Sequence, residues 1–435
     1  MLRRSIFASL AALSLTHVAS GQDLFQYSLT PTGGGGPAPL TASGSSLWEL
    51  TEDLIDTQGA FGGFSGVAFD SSLRYAGVDN AISISINAAG DSATLEFSAL
   101  GAGARTFTFS GADISSQIES FFKDGADGEL GAFMREMAKR SLVFVVDGNP
   151  SATTARASRY RYNRFGLMDD LRPRHDPVTR RGTVEPQAPQ TGEGEYLAQS
   201  VRVTDSVDTG ASTLRFDVSA GTIDSDIGDG TDFRFAVSNE YRFGERVALV
   251  LGLPFAYHKI EESEVYNVAI HVDLPISFVR RTEMDGWTWK VTPGLIAAGS
   301  GSTDFIAGGL MWGAGVTNLI GYDLGPWSFS FISQYDTYES VKLKYDTYEF
   351  DPDISQDIVT NGGRVAYALD DSWYLYGGLS YTTFLEDAAV DKYWSPALGA
   401  RFRTGHGWDV NIGYEGDIGD GYDAHRLAGG IAWSF

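Results

Sequence analysis

The sequence predicts a mainly β protein: a C-terminal transmembrane antiparallel β-barrel of about twelve strands, preceded by a small α+β domain. Three observations carry that expectation. From Thr213 to Phe435 one pattern repeats, about ten residues of apolar and polar alternation followed by a turn. Tryptophans gather near the ends of these runs, at Trp287, Trp289, Trp327, Trp373, Trp394, Trp408 and Trp433, where a membrane interface places aromatic girdles. The N-terminus reads as an export signal, which gives such a barrel access to an outer membrane.

Arg3 and Arg4, the apolar run Ser5 to Leu15 and the small residues Ala19-Ser20-Gly21 predict a signal peptide over residues 1–21. The run is too short to cross a bilayer as a helix. Residues 22–44, with Gly33 to Gly36, predict a flexible leader. Residues 45–165 predict the α+β domain. Ile82 to Ile86, Ala93 to Phe97 and Arg105 to Phe109 alternate with period two, as strands do. Ile114, Ile118, Phe121 and Phe122 then share one helical face, as do Leu130, Phe133, Met134 and Met137. The continuous run Leu142 to Val146 reads as a buried strand closing the unit.

Residues 166–211 are polar and proline-bearing, which predicts a linker. Arg156, Arg159, Arg161, Arg164, Arg172, Arg174, Arg180 and Arg181 cluster before and within it, a reversal of sign in a chain of net charge −24. Two readings stand: a solvated linker, or contact with anionic lipid headgroups or a phosphate-bearing polymer. The absence of cysteine excludes disulfides, thiolate metal sites and cysteine nucleophiles. The acidity argues against nucleic-acid binding, which needs a basic footprint. No nucleophile, acid–base pair or metal triad has motif spacing, so no enzyme is predicted. Gly90-Asp91-Ser92 sits where a hairpin turn is expected, and His258, His271, His406 and His425 are scattered.

The barrel is predicted over residues 212–435. Tyr266, Val268, Ile270 and Val272 alternate with Asn267, Ala269, His271 and Asp273, and Trp408, Val410, Ile412 and Tyr414 with Asp409, Asn411, Gly413 and Glu415. Lipid gives backbone groups no hydrogen-bond partner, so these strands must close into a ring. The apolar set then faces acyl chains and the other set faces the lumen. Candidate pore-lining residues are Arg215, Arg234, Arg242, Lys290, Arg364, Arg401 and Arg403, opposed by Asp217, Asp273, Asp409 and Glu415. Connections alternate between short links and mostly longer ones such as Gly221 to Thr231 and Gly416 to Asp423. Short periplasmic turns and longer outer loops put both barrel ends in the periplasm.

One pentapeptide, Asp-Ile-Gly-Asp-Gly, occurs at Asp226 to Gly230 and again at Asp417 to Gly421. In a closed ring the first strand pairs with the last, so the two copies should face each other across the seam. The carboxylates of Asp224, Asp226, Asp229, Asp232, Asp417, Asp420 and Asp423 suit Ca²⁺ or Mg²⁺ in the outer loops, bridging to lipopolysaccharide. Ordinary hairpin-turn chemistry accounts for the same residues.

The region from about Thr213 to Phe435 resembles the bacterial outer-membrane β-barrel superfamily. The ending Ala432-Trp-Ser-Phe435 resembles the aromatic-ended last strand of that superfamily, which implies that Trp433 and Phe435 form a signal for the outer-membrane assembly machinery. The order of signal, N-terminal region and C-terminal barrel is similar to twelve-strand autotransporter translocators, and the run Glu245 to Tyr257 is similar to strands of small channel-like barrels. The resemblance implies an outer-membrane protein surrounded by lipid and lipopolysaccharide. The leading expectation is a non-enzymatic barrel that passes small solutes or anchors its N-terminal domain in the periplasm. The alternative is export of residues 22–165 to the cell surface.

Overall fold

The computed structural model describes residues 23–33, 36–44, 49–50, 53, 66–111, 114–123, 129–167, 212–261, 263–280, 284, 286–302, 307–345, 348–350, 353–404 and 407–435. The predicted signal peptide and nearly all of the predicted linker lie outside them. The N-terminal sheet consists of β1 (Phe25–Pro31), β2 (Leu40–Gly44), β3 (Phe69–Tyr75), β4 (Val78–Ile86), β5 (Ser92–Glu96) and β6 (Thr106–Ser110), in the order β2-β1-β3-β4-β5-β6. The segment expected to be a flexible leader supplies β1 and β2. Its alternation, Phe25, Tyr27 and Leu29 against Gln26, Ser28 and Thr30, was hidden beside the glycine run. Registered pairs such as Tyr27 with Leu73, Leu73 with Ile82 and Leu95 with Phe107 put the apolar residues on one face. That face belongs to a core with α2 (Glu129–Arg140), which contributes Phe133, Met134 and Met137. The first helix, α1 (Ile114–Lys123), brings Phe121 against Phe107 and Phe109.

The C-terminal half closes into a ring, because β7 (Ser212–Ser225) pairs antiparallel with β21 (Tyr422–Ser434). Between them run β8 (Gly228–Arg242), β9 (Ala248–Ile260), β10 (Ser263–Asp273) with β11 (Ile276–Val279), β12 (Trp287–Ser302), β13 (Ala307–Leu324), β14 (Trp327–Ser340), β17 (Ser355–Ala368), β18 (Trp373–Phe384), β19 (Lys392–Arg403) and β20 (Trp408–Gly419). Both β10 and β11 pair with β12, so they form one strand interrupted at Leu274-Pro275, and the described residues make twelve strand positions. The hairpin β15 (Leu343–Tyr345) and β16 (Tyr348–Phe350) stands off the ring between β14 and β17.

Side-chain direction follows the alternation. Tyr266, Val268, Ile270 and Val272 are 45%, 55%, 53% and 40% exposed, whereas Asn267 and His271 between them are 4% and 0% exposed. Leu249 and Ile412 also point outward, and Ile412 is 67% exposed. An outside this apolar around a buried polar inside is the inverse of a water-soluble sandwich. The seam is also where the pentapeptides meet. Asp423 is opposite Asp224, the Asp226 amide donates to the Gly421 carbonyl at 3.1 Å, and Phe435 exchanges two backbone hydrogen bonds with Ser212 at 2.9 Å each.

Two expectations change. The supposed long loops Gly221 to Thr231 and Gly416 to Asp423 are mostly strand. They turn tightly at Asp226-Ile227 and Asp420-Gly421, with Gly421 at φ +65°. Asp-Gly dipeptides serve tight hairpins, so their glycine content marked turns rather than length. The run Leu142 to Val146 is not a strand but an irregular segment in which Val143, Phe144, Val145 and Val146 are buried. It joins the domain core to the barrel mouth, in one cluster with Ile223, Ile260, Ile296, Met311, Tyr338 and Phe384.

The outward belt predicts an asymmetry between neighbours. Ile412→Arg, on the lipid face, should destabilise the barrel by about 2–4 kcal/mol if it lies at the bilayer midplane, while Asn411→Ser, one residue away in the lumen, should change stability much less. Urea unfolding in lipid vesicles distinguishes the two.

Candidate functional site

The lumen is occupied by the chain's own helix. Residues 144–152 descend from the domain into the barrel mouth, and α3 (Thr153–Tyr162) follows, continuing as a wider turn over Asn163–Leu167. The helix starts without a side-chain cap at Ala152. Its first amides are met instead by the carbonyls of Val145 and Val146 (3.2 and 3.4 Å). Along the axis Arg156, Arg159, Arg161 and Arg164 are all buried.

Each of these arginines meets carboxylates of the wall. Nearest the domain, Arg156 donates to Asp232 at 2.8 Å and lies 3.2 Å from His258 Nδ1. Arg159 donates to Ser380 Oγ at 3.0 Å and stands 3.9 Å from Asp417. Arg161 pairs with Asp273 at 2.8 Å and with Asp336. Arg164 pairs with Glu240 at 2.9 Å, and Asn163 donates to both oxygens of Glu415 at 3.2 and 3.1 Å. The end of this descent is the rim where the barrel begins and ends, since Glu240 is opposite Thr213. The N-terminal domain sits at the other rim. There Ser151 Oγ is 2.5 Å from Tyr422 Oη, Gly148 accepts from the Val390 amide at 3.1 Å, and Arg135 and Lys139 of α2 pair with Asp353 and Asp387.

The wall is shaped for the helix. A β-carbon on Gly252 would collide with Tyr160, one on Gly294 or Gly315 with the Arg161 cluster, and one on Gly362 with Tyr162. Tyr160 also lies over the His271 ring at 4.8 Å between centroids. Glycine at these positions is required by close approach rather than by a turn.

The pore-lining candidates therefore face the lumen, but not an open one. Asp273 and Glu415 hold the plug. Arg234 binds Asp232 at 3.0 Å and Arg242 binds Glu240 at 2.9 Å. Arg401 and Arg403 bind Asp409 near the far rim at 2.5 and 2.7 Å. Arg364 lies over the Tyr376 ring at 5.8 Å, and Arg215, Asp217 and Lys290 also point inward.

The seven aspartates considered for a cation do not form one group. Asp232 and Asp417 point into the lumen and are bound by arginines, Asp417 by Arg426 and Asp232 by Arg156, Arg234 and Arg426, so their oxygens are taken. Asp224, Asp229 and Asp423 face outward in one row across the seam, and Asp226 and Asp420 occupy the turns. Among the described residues no three His, Asp or Glu side chains are grouped to hold a metal ion. The period-two alternation of the flanking strands, extended through the turns, would have separated the inward pair from the outward three. Trp433 is outward and stacks on Trp408, with Phe435 against it at 4.8 Å.

Sequence reasoning missed α3, because its arginines were read as linker charge. The available signal was their position on a short Ala- and Ser-containing segment facing a wall of glycines and carboxylates.

The ionisation of one carboxyl outside the membrane-spanning strands bears on the plug. Asp147, in the segment entering the mouth, is raised from its ordinary 3.8 to about 7 by burial, despite hydrogen bonds from Thr154 and the Gly148 amide.

A closed ring of strands, apolar outside and polar within, defines an outer-membrane β-barrel, and the C-terminal half of this chain is one. No family model and no curated protein matches the sequence. Solved structures match the barrel. The translocator domain of the autotransporter NalP from Neisseria meningitidis is 15% identical at a TM-score of 0.39, over 53% of this chain and 90% of that one. The β domain of the Bordetella autotransporter BrkA is 12% identical at a TM-score of 0.40, over 52% and 100%. An outer-membrane channel from Pseudomonas putida F1 is 14% identical at 0.39, over 52% and 96%.

Two measurements check the plug. Arg161→Ala leaves Asp273 and Asp336 buried without their cation and should cost about 3–5 kcal/mol, part of which Asp336→Asn should restore in the double variant, both read by unfolding in detergent. For Asp147 the native pKa lies above the unfolded one. Its contribution is therefore complete below pH 3.8 and lost as pH rises through about 7. Asp147→Asn should flatten that part of the stability–pH curve.

Proposed function

We propose that the protein is a non-enzymatic outer-membrane anchor that carries its N-terminal domain on the outer rim of a self-plugged barrel, in the manner of an autotransporter-type display rather than an open solute channel. One observation carries this reading. The chain leaves the domain at one rim, passes through the lumen as α3, and reaches the rim where β7 begins. With the barrel termini facing the periplasm, the domain is outside the cell. An open channel would leave Asp273 and Asp336 without the arginine that neutralises them, and would expose the apolar ring of Ile223, Ile260, Ile296 and Met311 to water. Lipid and lipopolysaccharide surround the belt in this proposal, and the terminal Trp433 and Phe435 engage the assembly machinery.

Protease applied to intact cells tests the side. The proposal expects the N-terminal domain to be digested while the barrel stays protected, and a domain cut only after the outer membrane is permeabilised would overturn it. In planar bilayers the full chain should hold no steady conductance, and deletion of residues 23–167 should open one.

A further inference from the structure

We propose that the lumen contains a binding site for a small inorganic anion, a halide or a tetrahedral oxyanion, between α3 and the wall around β8 and β10. The site belongs to the plugged barrel whichever way the domain faces, so it stands apart from the display reading.

The helix presses on β9, β12, β13 and β17, where Gly252, Gly294, Gly315 and Gly362 leave no room for a β-carbon. Beside these contacts the wall offers Ser219, Ala236, Ala256 and Ala269, and a cavity of about 100 Å³ lies between them and the helix. Arg156, Arg159, Asn163, Arg234 and Asn267 line that cavity. That volume is enough for a halide with water or for a tetrahedral oxyanion.

Charge selects the occupant. At the domain end of the cavity four guanidinium groups, those of Arg156, Arg159, Arg234 and Arg426, share two carboxylates. Asp232 is taken by Arg156, Arg426 and Arg234 at 2.8, 2.9 and 3.0 Å. Asp417 accepts from Arg426 and from Ser395 Oγ at 2.7 Å, and is only within 3.5 Å of Arg234 and 3.9 Å of Arg159. Arg159, 5% exposed, therefore has Nε and Nη2 without a hydrogen-bond partner. The Asn267 amide, which lines the same cavity, is in the same condition, and Arg234, ion-paired with Asp232 at 3.0 Å, lines it as well. Two other carboxylates line the cavity, Asp217 and Glu415; Glu415 is opposite Arg426 and is held by Asn163. Buried guanidinium donors left without acceptors are costly. One anion accepting from Arg159 and Asn267, beside the Arg234 guanidinium, satisfies both of them, and it bridges helix to wall.

The test uses the full chain in detergent. At constant ionic strength, replacing gluconate by bromide, and separately by sulfate, should raise the melting temperature, because a ligand bound only by the folded state stabilises it. Arg159→Gln, which keeps shape and removes charge, should lose that response. Crystals grown with bromide should show an anomalous peak within hydrogen-bond distance of Arg159 and Asn267 in the wild-type protein, a readout that does not depend on the variant folding. A response to bromide alone assigns a halide site, and a response to sulfate alone assigns an oxyanion site. Water density without an anomalous peak, together with melting that ignores anion identity, would overturn the proposal.

Discussion

Four guanidinium groups on one short helix and the wider turn that continues it have to be neutralised where they are buried, and most of this structure follows from that requirement. A guanidinium stays charged in proteins, so Arg156, Arg159, Arg161 and Arg164 enter the lumen only if the wall supplies acceptors. It does so from strands far apart in sequence, with Asp232, Glu240, Asp273, Asp336 and Asp417 each brought to a particular height by strand register. The glycines of the wall are the steric counterpart, since the ion pairs form only where backbone and helix approach closely. Pairing of this kind is not strong evidence of extra stability, because desolvation offsets much of the attraction. It does fix the rotation and depth of the helix, since turning it aligns buried charges with nothing.

The barrel itself was legible in the sequence, and for a physical reason. Lipid on one side and polar groups on the other enforce a strict period of two; a soluble sandwich also alternates, and the tryptophans at the strand ends separate the two readings for a run such as Tyr266 to Asp273. The pairing of β7 with β21 and the meeting of the two pentapeptides followed from closure alone. The boundaries of the loops did not, because Asp and Gly serve both long loops and tight turns. The helix was illegible for a different reason. Its partners are not near it in the chain, and its polarity matched the expectation for a linker. A helix whose environment is an ion-paired lumen shows no apolar face, so hydrophobic periodicity was silent there. The N-terminal sheet was partly read: β4 to β6 were evident, whereas β1 and β2 were obscured by the adjacent glycines.

The mouth of the barrel combines the two kinds of contact. Above the ion pairs, Val143 to Val146 meet inward-facing apolar residues of many strands, so the domain core and the barrel lining form one continuous apolar cluster. The upper lumen is thereby apolar and the middle lumen polar, and the transition falls at the start of α3. Asp147, hydrogen-bonded by Thr154, sits at that boundary.

Closure at the seam has an implication for the order in which the molecule is built. The ring is completed by β21 pairing along its length with β7. The helix within it is attached to a folded unit at one opening and to the first strand at the other. Once the hoop is fastened, the rod cannot be withdrawn toward the first strand without unravelling the unit above it. The polypeptide must therefore be threaded while either the hoop is unfastened or the unit is still extended, which makes the finished arrangement a mechanical interlock as well as an energetic minimum.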